Sequence, residues 1–250
     1  MVLRLLALAF ALTGTAFAAV PATSTPASAV AVPAIGAAPA VADAPQLSGR
    51  VLGDRYFAAS GAFSVSVPKL NKDSATIMDS DSIVVFKDQV SVFVMIGSWA
   101  MPPDQKWELE TSSPKEFLVR YFRDYVLRPS AEECPGLTLE EPAARFLPEF
   151  AGGALLTYML LPNSSAFKTD PAAAGLPNPQ PAVAKRGTLV FLNNNHVFAI
   201  AIELAERVTQ QSRYNLPKEK EDKILLDRLL LVASAMELFP GKTPAPVAKP

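Results

Sequence analysis

Few residues of this chain have side chains suited to chemistry. It holds one cysteine, Cys134, and one histidine, His196. Together they would make a nucleophilic pair, the imidazole taking the thiol proton, if the fold brought them within hydrogen-bond reach. The surroundings of Cys134 argue otherwise. Ala131-Glu132-Glu133-Cys134-Pro135 is followed by Glu140 and Glu141, and carboxylates oppose the thiolate that a reactive cysteine needs. A structural thiol is the expected reading, and a hydrolase or thiol enzyme using Cys134 and His196 is the alternative. An unpaired cysteine also leaves room for an intermolecular disulfide if the protein is exported. A lone histidine offers a metal one ligand where several must converge. Asp79-Ser80-Asp81-Ser82 opens like a calcium loop but lacks its glycine and distal glutamate, so it reads as a solvated turn. No phosphate-binding glycine loop, serine elbow or zinc-protease helix motif occurs. The residues therefore predict no catalytic group, no cofactor and no metal.

Binding residues are easier to find. Trp99-Ala100-Met101-Pro102-Pro103 and Trp107 bring both tryptophans of the chain into one proline-bearing connection. Aromatic and methionine side chains on a loop are frequent partner anchors, which makes Trp99, Met101 and Trp107 the candidate partner-binding residues. The competing reading folds the rings over a sheet edge to finish the core.

These residues must be positioned by a modest set of elements. Arg55 to Ala59 and Phe63 to Val67, joined at Ser60-Gly61, predict a hairpin whose second arm alternates apolar and polar residues. Ile83 to Phe86 and Val90 to Ile96 predict another, with a tight turn at Asp88-Gln89. Its second arm is apolar on both faces, as a covered central strand would be. Ser113-Pro114-Lys115-Glu116 is a capping box with proline at the first helical position. Phe117, Leu118, Tyr121, Phe122 and Tyr125 then line one helical face. Strands are predicted at Arg145 to Leu147, Ala154 to Leu160 and Thr188 to Leu192. The Asn193-Asn194-Asn195 turn leads from the last of these into a further strand, His196 to Leu204. A helix over Pro217 to Leu238 closes the domain. Strands joined by short turns imply an antiparallel sheet, here of about six strands or more, with two principal helices on its faces.

The ends of the chain are of a different kind. Met1 to Ala18 has one charge, Arg4, an apolar run from Leu5 to Leu12, and closes on Ala16-Phe17-Ala18. This is the pattern of a signal peptide cleaved after Ala18, and it predicts export to the periplasm or medium. No cysteine stands near that point to carry a lipid. Residues 19–46 are rich in proline and alanine, which predicts a disordered spacer. The single domain is expected over 47–240, with a flexible loop at 162–185 and a disordered tail at 241–250. A net charge of −1 over 250 residues gives no electrostatic reason to expect a nucleic acid or anionic membrane partner.

The layout resembles the PsbP-like fold family, which includes a photosystem accessory protein, a Ran-binding import factor and many exported bacterial proteins. The resemblance rests on the Tyr56-Phe57 strand, the Gly61-Ala62-Phe63-Ser64-Val65-Ser66-Val67-Pro68 segment, the mid-chain helix, the later hairpins and the closing helix. It implies an α+β fold, a three-layer α/β/α sandwich used for binding or assembly. It carries over no functional residue. Metal-binding histidines proposed for photosynthetic members have no counterpart in a chain whose one histidine is His196. A non-catalytic, exported binding or accessory domain acting on a protein or envelope component is the function expected. A small-ligand carrier with an apolar pocket beside the sheet is the second possibility.

Overall fold

The computed structural model describes residues 47–150, 152–169 and 182–239. The expected signal peptide (1–18), spacer (19–46) and tail (241–250) lie outside the described residues, as do 170–181 of the expected loop. The chain enters through β1 (Arg50–Leu52), β2 (Arg55–Phe57), β3 (Phe63–Ser66), β4 (Thr76–Asp79), β5 (Ile83–Lys87) and β6 (Phe93–Ala100). Helices α1 (Pro103–Thr111) and α2 (Pro114–Phe122), a π-helical turn (Arg123–Leu127) and α3 (Arg128–Glu133) follow. Next come β7 (Thr138–Leu139), β8 (Arg145–Leu147), β9 (Ala154–Pro162), β10 (Val183–Asn193) and β11 (His196–Glu203). The short helix α4 (Ala205–Thr209), the long helix α5 (Lys218–Ala235) and β12 (Met236–Leu238) complete the described chain.

The hairpin of β10 and β11 is the spine of the main sheet. Its two-residue turn holds Asn194 and Asn195 at φ of 47° and 58°, the left-handed region that asparagine enters more easily than other side chains. The turn sets Asn193 opposite His196, and the register that follows places Arg186 opposite Glu203. Beyond β11 the order is β6, β5, β4; beyond β10 it is β9, whose outer edge takes both β7 and β8. Every pairing in this eight-stranded sheet is antiparallel. Strands β6, β9, β10 and β11 are buried on both faces, which explains their nearly continuous apolar sequences.

One face carries Val85, Met95, Leu155, Val190 and Ala199 beneath Phe117, Leu118, Tyr121 and Phe122 of α2. The opposite face carries Phe86, Ile96, Leu156, Leu189 and Phe198 beneath Leu225 and Leu229 of α5. The α+β class and antiparallel sheet are as expected, but the third layer is mixed. Strands β2 and β3, expected simply as a hairpin of the antiparallel sheet, form a separate four-stranded sheet, β1-β2-β3-β12. Tyr56, Phe63 and Val65 of this sheet pack beside α5 on the same face. The predicted closing helix stops at Ala235, and Met236–Leu238 turns into the strand that pairs β3.

The Ser113 capping box is present: Ser113 accepts from the Glu116 amide, and Glu116 accepts from the Ser113 amide. Tyr125 departs from expectation. It falls in the π-helical turn, is 37% exposed and stacks on Tyr121 at 4.7 Å between ring centroids. The wider turn shifts the helical phase, so Val126 points inward in its place. The 162–185 segment is also corrected at its ends. Pro162 and Val183–Lys185 belong to β9 and β10, Phe167 is buried, and Ser165 and Ala166 are hydrogen-bonded to Glu203.

Candidate functional site

Cys134 and His196 are not brought together. Cys134 follows α3, is 1% exposed, and directs its S–H toward the Pro162 carbonyl at 3.7 Å. Pro162 pairs with Val183 at the first residue of β10, whereas His196 pairs with Asn193 at the last. The 11 residues of β10 span on the order of 30 Å at about 3.3 Å each. The alternative thiol pair is thus corrected, because a proton cannot pass directly across that span. His196 is buried, with Nδ1 at 2.9 Å from the Asn194 carbonyl, so the ring helps close the hairpin turn.

The acidic 79–82 segment is likewise structural, and it begins in a strand instead of a turn. Asp79, the last residue of β4, accepts from the Ser48 and Gly49 amides and from the Tyr56 hydroxyl at 2.7 Å. One carboxylate therefore fastens the start of the small sheet to the edge of the large one. Burial of Tyr56, with Asp79 beside it, raises the phenol far above its usual range. Asp81 is exposed. Among the described residues no group of three or more His, Cys, Asp or Glu is placed to hold a metal ion.

The three candidate anchors separate. Trp99 lies in β6 and is 9% exposed, and Met101 is buried just beyond the strand end. The Trp99 ring lies across Gly97, where any Cβ would collide with it, so the strand needs glycine there. Trp107 differs: it sits on α1, a helix the sequence reading had as an irregular connection, and is 67% exposed. No residue of α1 is buried. Leu109 packs partly against the core, and Glu108 pairs with Arg120 of α2 at 2.7 Å.

Two buried ionic nodes were missed by the sequence reading. Lys185 has no exposed side-chain surface and lies 2.5 Å from Glu140, 3.1 Å from Glu221 and 2.5 Å from Asp222. Arg207 of α4 grips Glu221 with two hydrogen bonds, and Lys218 pairs with Asp222. Burial alone would lower the ammonium's pKa, but the bonds to Asp222, Glu140 and Glu221 outweigh it and raise the pKa. On the other face Arg186 pairs with Glu203 at 2.8 Å and lies over the Phe93 ring. Glu203 also accepts from Ser165 and Ala166. A usable signal existed: outward from the asparagine turn, strict antiparallel register sets Arg186 directly opposite Glu203, a favourable cross-strand charge pair. Every carboxylate of the first node is engaged by a cation, and the node ties elements together.

A surface groove of about 460 Å³ opens over the small sheet, lined by Ser48, Arg50, Phe57, Gly61, Phe63 and Phe239 among others. The Arg50 guanidinium stands 5.4 Å from the Phe57 ring centre. The groove thus presents one cation against an aromatic wall. It has room for a small ligand.

No protein-family model matches this chain, and no curated protein matches it in sequence. Among solved structures it is similar to the cyanobacterial PsbP of Synechocystis at 12% identity and a TM-score of 0.44, covering 74% of this chain and 91% of that one. It is also similar to the Ran-binding protein Mog1p of Saccharomyces cerevisiae, at 11% identity and a TM-score of 0.42, covering 74% and 94%. A protein from Bacteroides thetaiotaomicron matches at 9% identity and a TM-score of 0.38, over 75% of this chain and 48% of the other. PsbP and Mog1p are both of the PsbP-like fold, and the low scores mark all three as distant neighbours.

Proposed function

We propose that this chain is an exported, non-catalytic binding domain that docks a protein or envelope component through helix α1, with Trp107 as the anchor. The single observation that carries the reading is the exposure of Trp107 on a helix that buries none of its own residues. A nine-residue helix is marginal by itself in water, and a large exposed aromatic ring contributes little until a partner desolvates it. Export rests on the Leu5–Leu12 run and the Ala16-Phe17-Ala18 site. Cross-linking in intact cells, with mass spectrometry of what is captured, tests the docking. The expected result is one reproducible partner that Trp107→Ala loses while its melting temperature stays at the wild-type value. Capture of the same partner by both proteins would remove Trp107 from the interface.

The groove favours a second reading, a carrier for a small anionic ligand held by Arg50 against Phe57. Native mass spectrometry of the protein purified from its own cells tests it. A bound small molecule that Arg50→Ala loses supports the carrier, and a bare protein speaks against it.

A further inference from the structure

Glu133 is the last residue of α3, and its Oε2 is buried without a hydrogen-bond donor. Three features make an anion unwelcome there. The site is partly withdrawn from water, a helix C-terminus presents the negative ends of its peptide dipoles, and Glu132 adds a like charge. The charge acting on it from the sheet is Arg186 of β10, whose guanidinium already pairs with Glu203 of β11. Glu203 is further engaged by the Ser165 hydroxyl and the Ala166 amide. Burial pushes the Glu133 carboxyl up; Arg186 reverses part of the rise and Glu132 adds to it, leaving the value at about 7.

The next residue is Cys134, 1% exposed within the core beneath α2. Its amide donates to the Ser130 carbonyl at 2.9 Å, its carbonyl accepts from the Leu137 amide at 3.0 Å, and its thiol makes the weak S–H contact with Pro162. On one side α3 follows the π-helical turn, and on the other Gly136 takes a φ of 88°. We propose that the end of α3 is a pH-operated latch: when Glu133 ionises, its carboxylate moves out to water and draws Cys134 out of the core. The neutral acid keeps the latch shut. A carboxylate oxygen buried without a donor is costly once the group is charged.

The test is alkylation of Cys134 by iodoacetamide in the full chain, at about pH 6 and about pH 8. Each rate is divided by the rate for the urea-unfolded chain at the same pH, which removes the thiol's own titration. For a group that titrates near 7 when the latch is shut and in the ordinary carboxylate range when it is open, this ratio should rise about tenfold between the two conditions. In Glu133→Gln, which cannot ionise, it should stay flat. A flat ratio in the wild type, or an equal rise in Glu133→Gln, overturns the proposal. If the variant does not fold, the carbon-13 carboxyl titration of Glu133 in the wild type, read with amide exchange over 128–137, decides instead. A midpoint near 7 with faster intrinsic-rate-corrected exchange above it supports the latch. An ordinary midpoint, or an unchanged corrected exchange, overturns it.

Discussion

Lys185 and Arg186 are neighbours in β10 and send their side chains to opposite faces of the sheet, each onto buried carboxylates. Alternation along a strand makes this possible with no break in the ladder. Lys185 draws together the residue after β7, the start of α5 and, through Glu221, Arg207 of α4. Arg186 fixes β11 and, through Glu203, the Ser165–Ala166 segment. One dipeptide thus ties α5 to one face of the central sheet and the Ser165–Ala166 segment to the other. Desolvation consumes much of the Coulomb gain of such nodes, so they add less stability than their short distances suggest.

Removing the Lys185 cation should nonetheless be severe. Lys185→Met leaves Glu140, Glu221 and Asp222 without their shared partner and should cost on the order of 3–5 kcal/mol. Lys223→Met, which breaks an exposed pair with Asp227, should cost less than about 0.5 kcal/mol. Urea unfolding of the two variants side by side measures the contrast, and equal small losses would mean that the node is not stabilising.

Asp88 predicts a response to acid. The sequence suggested a tight Asp88-Gln89 turn, but β6 begins later, at Phe93, and Asp88 organises the longer connection. Its carboxylate accepts from the amides of Asn71, Val90, Ser91 and Val92 and from the Ser91 hydroxyl. Burial would raise its pKa, but hydrogen bonds from Asn71, Ser91 and Val92 outweigh that and hold the group well below the usual carboxylate range. A depressed folded value gives stability that is complete above the unfolded value of 3.8 and is lost as pH falls toward the folded one. Asp88→Asn should therefore cost about 1.5–3 kcal/mol at neutral pH and show a shallower loss of stability below about pH 4. Chemical unfolding at a series of pH values checks both. Parallel curves for the two proteins would contradict the assignment.

The two tryptophans should behave oppositely in stability. Trp99→Ala empties a buried site over Gly97 and should cost about 3–5 kcal/mol. Trp107→Ala, on the exposed face of α1, should stay within about 0.5 kcal/mol. Thermal melts of the two variants are sufficient, and a marginal effect at Trp99 would return that residue to the list of partner anchors.

Much of the framework was legible because its signals are local. The Ser113–Glu116 box needs four consecutive residues, and the Asn194-Asn195 turn two. Strand β4 was missed because Thr76-Ile77-Met78-Asp79 is short and only half buried. Helix α1 was missed because its residues show no apolar face, having little core to match. The end of α5 was overrun because Met236 and Leu238 continue a pattern that suits a helix, while their pairing with β3 depends on a strand more than 160 residues earlier.

By itself, the sequence determined the α+β class, the antiparallel connections, the capped helix and the two-faced central strands. Each follows from spacing within a few residues. The tertiary structure alone decided that Cys134 and His196 stand at opposite ends of β10. It also decided that Trp99 is core while Trp107 is surface, and that Lys185 and Arg186 meet their carboxylates. Those outcomes depend on register and layer order, where a shift of one residue moves a side chain to the other face of the sheet. They are settled by long-range packing that no short window of sequence contains.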